Sequence, residues 1–447
     1  MRDEAERAGR ARRGKVGPLA GVYYGWIVLA AGSLVFYCAY GVQFSFGLFL
    51  PDIEAALAPG QRSLLTLGFG LYFSLMAAVS LFSGMATDRW GPRPVVLLGA
   101  VLLGGGLFWV SQARHLWEFF LGYGVVAALG MSSTWVPILT TAAKWFVARR
   151  GLALGIVASA IGLGQLTVPF LSGLFLAPHV DWRTAYVVYS VLILVTFALA
   201  SLLLEKDPES LGLAPDASPA RAAAGADPYA GETYFTVGEA VRTSALWLVT
   251  LTLALFWSVV FLPSVHLPPF VEEELGRSTQ AASLTITVVG LGSIVARLLG
   301  GVLADAIGPR PSTLLSIACQ VLAFAAMWLS ALLRDLPLAY VGAFLSGMGY
   351  GGLATLWAVV LADLFGRRFA SSIGGVVFAV AASFSGLGIY LGGLLYDISG
   401  GYEGAFALAA LISLVSAAPF LAVRRPSKPA PRAAAGDGRP QPGAGRV

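Results

Sequence analysis

Arg297 stands inside an apolar stretch, GSIVARLLGGVLAD (292–305), and is the residue most able to do chemistry in this chain. It lies eight residues before Asp305, about 12 Å along a helix at 1.5 Å per residue. In a hydrocarbon core about 30 Å thick, that is well below the surface. An arginine there costs several kcal/mol without a partner, which makes it a functional candidate by default. Its planar guanidinium keeps its charge and grips a carboxylate with two parallel hydrogen bonds. Ser293, one turn earlier, shares its face.

Other polar groups interrupt apolar runs. His266, between Pro263 and Pro268, can hydrogen-bond a carboxylate or titrate near neutrality, although it lies nearer a span end than Arg297 does. Tyr350 sits among glycines in GMGYGGLATLW (347–357), where backbones can approach closely. Tyr40 and Gln43 in one run, and Thr134 and Trp135 in another, complete the candidate cavity lining. The three histidines and two cysteines form no ligand cluster, so neither a metal nor a disulfide framework is expected. No carboxylate lies in the middle of an apolar run, so a proton would travel on His266 or with a neutral acid substrate.

These residues are positioned by membrane spans. The 447 residues are 57% hydrophobic and 12% charged, with mean hydropathy +0.77, where soluble domains carry about 25% charged residues. Such a chain cannot cover a water-facing surface, which excludes a cytosolic enzyme, a nucleic-acid binder and a secreted module. Twelve runs are long enough to span: 25–49, 64–85, 95–112, 117–143, 151–176, 184–204, 244–270, 282–303, 312–333, 338–362, 369–395 and 404–423. The first is too long for a signal-peptide core despite the basic segment before it.

The expected organisation is a cytoplasmic tail at 1–21, a six-helix bundle at 22–204, a polar linker at 205–243, a second bundle at 244–423 and a disordered tail at 424–447. Within the linker, 237–247 reads as a short surface helix. With both ends inside, 23 of the 29 basic residues fall on the cytoplasmic side and five outside, so the positive-inside rule orients the chain and accounts for its pI near 9.2.

The sequence also repeats itself. GMATDRWGPRP (84–94) returns as GVLADAIGPRP (301–311), and Arg149 and Arg150 return as Arg367 and Arg368. Two homologous halves imply a substrate site near the midplane and alternating access. Asp88 and Asp305, facing Arg93 and Arg310 across Gly-Pro turns, are expected to latch the cytoplasmic side.

The doubled motif, twelve spans and central linker resemble the major facilitator superfamily over roughly 22–423. YGWIVL (24–29), LGMSSTWVPILTTAAKWFVARRGLALG (129–155), VHLPPF (265–270) and the eighth-span arginine resemble the monocarboxylate transporters and their oxalate/formate-exchanging relatives. The resemblance implies an all-α integral membrane fold of two pseudo-symmetric bundles, with Arg297 pairing the substrate carboxylate. Three family features are missing. Ser293 stands where animal members carry an acid, and 25–49 has no lysine; nor has 369–395, where the oxalate exchangers carry one. One buried cation suits a monoanion.

The reading is a transporter, not an enzyme, of a small monocarboxylate of the lactate or pyruvate class. It would need no cofactor, a proton would be its coupling ion, and it would act as a monomeric unit in the lipid bilayer. The expected location is the plasma membrane, the inner membrane of a bacterium. Alternatives are an organic-anion exchanger and an exporter of another metabolite or drug; against a drug antiporter, IGLGQLTVPFLSG (161–173) lacks a Gly-Pro pair.

Overall fold

Among the described residues, twelve helices are long and apolar enough to cross a membrane. They are α1 (Tyr24–Phe44), α2 (Arg62–Trp90), α3 (Pro92–Ser111), α4 (Leu116–Trp145), α5 (Gly151–Leu176), α6 (Trp182–Leu203), α7 (Ser244–Glu274), α8 (Thr279–Gly300), α9 (Pro309–Leu333), α10 (Leu336–Phe365), α11 (Ser372–Ser399) and α12 (Glu403–Leu421). The computed structural model describes residues 23–146, 149–214, 234–366 and 369–426. The expected tail at 1–21, residues 427–447 of the expected tail at 424–447, the linker stretch 215–233 and the arginine pair Arg367 and Arg368 lie outside the described residues. Helices are the required solution here, because lipid offers no partner for a free backbone N–H or C=O.

Several spans depart from the expected pattern. The first does not run on to residue 49 unbroken. It stops at Ser45, whose hydroxyl bonds the Gly41 carbonyl at 3.0 Å, and restarts as Phe46–Leu57. α4 carries a π-helical stretch at Phe120–Ala127 and a turn at 132–134 before resuming at Trp135. The helix of α8 continues to Ile307 and so includes Asp305. The surface helix before α7 is one turn, Val237–Ala240, capped reciprocally by Thr236 and Glu239.

The internal repeat is visible in backbone angles. Gly91 (φ 86°, ψ 170°) ends α2 and Gly308 (φ 89°, ψ 161°) ends the helix of α8. Both lie in a region open only to glycine, and a proline begins the next helix at each place.

Across the halves, α2 packs on α11 and α5 on α8. Small residues allow the approach: a Cβ on Gly386 of α11 would collide with the backbone of Gly70 in α2, and one on Gly47 with the carbonyl of Ser264 in α7. Ser74 donates to the Ser383 carbonyl at 3.0 Å and Thr287 to the Leu166 carbonyl at 3.0 Å, each between halves.

Candidate substrate site and its gates

A narrow cavity lined mostly by aromatic side chains lies between the halves. Tyr40 (α1), Phe73 (α2) and Trp135 (α4) contribute from one side, and Trp257 (α7), Tyr350 (α10) and Phe378 (α11) from the other. Trp135 is the joint. It restarts α4 after the 132–134 turn and stacks on Phe36 of its own half (5.8 Å, 9°) and on Phe378 of the other (5.9 Å, 0°).

Arg297 lies at this cavity's border. Its Cζ is 5.1 Å from the centroid of the Tyr350 ring, and its Nη1 donates to the Ala158 carbonyl of α5 at 3.1 Å. It therefore reaches sideways to the opposite half. Among the described residues no carboxylate pairs with it. A guanidinium stacked on one ring and bonded to one carbonyl keeps donors for an anion.

The structure brings Arg297, Tyr350, Tyr40 and Trp135 together, with Thr134 against Tyr40, and leaves Ser293, Gln43 and His266 off the cavity wall. Ser293 is fully buried against α10, where Gly347 and Gly351 admit its backbone, and its hydroxyl has no partner among the described residues. Gln43 accepts from the Tyr72 hydroxyl at 3.1 Å and is not part of the cavity wall. Thr134 turns back to the Met131 carbonyl at 2.8 Å, closing the α4 turn.

His266 is fully buried at the far end of the bundle, the end opposite both sequence motifs, away from the cavity lining. Its Nε2 lies 2.9 Å from the Ile389 carbonyl, which can only accept, so this nitrogen carries the proton. Nδ1 then accepts from the Tyr402 hydroxyl at 3.2 Å. Burial pushes the Tyr402 phenol well above its ordinary value, so it remains a neutral donor.

The same hydroxyl accepts from Arg62 Nη1 at 2.7 Å. Arg62 bonds Glu54 of its own half (2.5 Å) and, through two nitrogens, Glu273 of the other half (2.8 Å each). Its Cζ lies 4.0 Å from the Tyr396 ring centroid. Asp397 accepts from the backbone N–H groups of Arg62 and Ser63 at 3.0 and 2.9 Å, so a carboxylate from α11 caps the positive end of α2. This cluster ties the two halves together at the far end. In the sequence Arg62 is one of the five basic residues placed outside; the acidic run Glu272–Glu274 after VHLPPF is the signal for a cationic partner.

At the motif end, the expected Asp–Arg latch takes another form. Asp88 pairs with Lys144 at the end of α4 (2.7 Å), not with Arg93. Arg93 bonds Glu205 (2.6 Å) and the Leu204 carbonyl (2.6 Å) beyond α6, and Arg310 bonds the Val423 carbonyl (3.1 Å) beyond α12. The Gly91 and Gly308 turns redirect the chain so that each arginine meets the unpaired carbonyls of a neighbouring helix end rather than the preceding aspartate. Asp305 is exposed. Each of these pairs, like Arg425 with Asp363, stays within one half, whereas the far-end network crosses between halves.

The Major Facilitator Superfamily model matches residues 29–389. The chain is 30% identical to monocarboxylate transporter 11 of Mus musculus over 396 residues, 86% of this chain and 83% of that one. It is 28% identical to monocarboxylate transporter 13 of Bos taurus, covering 86% of each. In fold it is similar to a bacterial homologue of the human lysosomal transporter Spinster in an inward-facing, unoccupied conformation (TM-score 0.71, 17% identity, 91% of this chain and 98% of that one). A mutant of the nucleoside transporter NupG is similar at a TM-score of 0.69 and 14% identity, over 90% of this chain and 100% of that one. Two halves with matching glycine turns, meeting around a cavity, and these likenesses have one explanation: the chain belongs to the major facilitator superfamily, is related to its monocarboxylate transporters, and is a membrane transporter rather than an enzyme.

Proposed function

We propose that this chain carries a monocarboxylate across the plasma membrane by alternating access, together with a proton, with Arg297 as the partner of the substrate carboxylate. The observation that carries this reading is Arg297 itself, a membrane-embedded cation at the edge of the inter-half cavity, stacked on Tyr350 and without a carboxylate partner among the described residues. An arriving carboxylate neutralises it, so the loaded carrier moves without an uncompensated buried charge. With a proton added, the full cycle moves no net charge. The likeness to monocarboxylate transporters supports the same substrate class.

With the motif end cytoplasmic, as the basic residues favour, the far-end network is an outer gate in its closed state and the carrier faces inward. One chain holds both halves, and the monomer is the transport unit. Uptake of radiolabelled monocarboxylates, beginning with L-lactate, into liposomes holding wild type or Arg297→Gln tests the reading. Uptake stimulated by an inward proton gradient and lost in the folded variant is expected. Uptake of every acid unchanged by Arg297→Gln would overturn it.

A further inference from the structure

We infer that the acid carried is an aromatic one: a monocarboxylate whose ring lies in the box between the halves while its carboxylate meets Arg297. This narrows the reading above and rests on it.

The cavity is built for a ring. Phe378 is met by three tryptophans: Trp135 face to face at 5.9 Å, Trp257 edge-on at 5.4 Å and 86°, and Trp357 at 6.2 Å. Phe261 stands edge-on to Tyr350 at 5.6 Å and 64°, beside the ring that carries Arg297. Rings already packed against one another offer rigid faces and edges, and an aryl guest meets them in the offset and edge-on geometries that aromatic pairs prefer.

Polar groups are few. The Ser80 hydroxyl is engaged by the Met76 carbonyl at 2.7 Å, while Ser385 Oγ has no partner among the described residues. Lactate would bring a single methyl group to this aromatic wall and leave most of it unused, although Ser385 and the Tyr40 and Tyr350 hydroxyls could meet its own hydroxyl. Aromatic boxes also attract organic cations, but Arg297 at the edge repels them. An aromatic anion uses both the wall and the charge.

The test measures equilibrium binding of radiolabelled 3-phenylpropionate to the full-length protein in detergent and its uptake into proteoliposomes. Competitors are L-lactate, the neutral alcohol 3-phenylpropan-1-ol and the cation phenethyltrimethylammonium. Saturable phenylpropionate binding is expected, with lactate competing only at about a hundredfold higher concentration, the size of a few kcal/mol of lost ring burial. Phe378→Leu and Trp135→Leu should each weaken phenylpropionate about tenfold while lactate changes less than about twofold. Arg297→Gln should weaken both acids.

If lactate binds through Arg297 but phenylpropionate neither binds nor competes, the aromatic inference falls and the monocarboxylate reading stands. If neither acid binds folded protein, or the alcohol or the cation binds equally well with and without Arg297, both fall. Should a leucine variant fail to fold, the ranking of ligands on wild type decides.

Discussion

The hydroxyl of Tyr402 joins Arg62, 2.7 Å away, to His266, 3.2 Å away, so one phenol ties a cation of the first half to a buried imidazole of the second. Around it, Arg62 also draws Glu54 and Glu273 together from opposite halves. The side chain of Arg62 is 3% exposed, so its charge is compensated by protein and not by water.

Removing that cation leaves two acids facing each other. Arg62→Gln is expected to cost about 3–5 kcal/mol of far-end closure, the usual range when one member of a buried pair is deleted. A cysteine at Ser63 reports the change: its maleimide labelling should accelerate severalfold in the Arg62→Gln background. Unchanged labelling would mean that the gate closes through glycine packing alone.

Tyr402→Phe keeps the ring and deletes the link. His266 Nδ1 then loses its donor and Arg62 one acceptor, each in a buried place. An unmet buried polar group costs about 1–3 kcal/mol. Thermal unfolding should show that loss. In a double-mutant cycle with His266→Leu, the effects of the two changes should fall short of their sum, because they remove one shared bond. Strict additivity would separate the two residues.

Tyr350 holds the Arg297 guanidinium by its ring face, and no bond of its hydroxyl to Arg297 is involved in that contact. Tyr350→Phe should therefore keep substrate affinity within about twofold, whereas Tyr350→Leu should weaken it about tenfold through a cation–π loss of 1–2 kcal/mol and freer arginine motion. Apparent KM in proteoliposomes distinguishes these outcomes. If phenylalanine proves as damaging as leucine, the hydroxyl and not the ring serves the site.

Arg297 was legible in the sequence because a charge in an apolar run is costly wherever the run folds. The halves were legible because the GPRP turn occurs twice, and the turn needs glycine both times. The aromatic box was not. Its rings come from α1, α2, α4, α7, α10 and α11, and in helices that are apolar on every side no periodicity marks the face turned to the cavity. Arg62 escaped for the opposite reason: at a span end an arginine is ordinary, and only contacts to Glu273 and Tyr402, more than 200 residues away, distinguish it from a snorkelling side chain. The Asp88–Arg93 pairing failed because adjacency in sequence says nothing about direction after a turn at φ 86°.

Gly386 and Gly70 set how closely the halves can approach. A Cβ on Gly386 meets the Gly70 backbone rather than a movable side chain, so the clash cannot be relieved by a rotamer change. Gly386→Ala should therefore oppose the observed far-end-closed state by about 1–3 kcal/mol, the common cost of one methyl too many in a packed interface. Helix-interior propensity acts the other way, since alanine favours a helix over glycine by about 1 kcal/mol. The two terms separate experimentally. Global thermal stability should change little, while labelling of the cysteine at Ser63 rises and transport turnover falls as closure becomes limiting. Faster labelling with normal turnover would show that closing this end is not a slow step. Unchanged labelling would mean that α2 and α11 slide apart without opening the gate, leaving the Arg62 network to hold it.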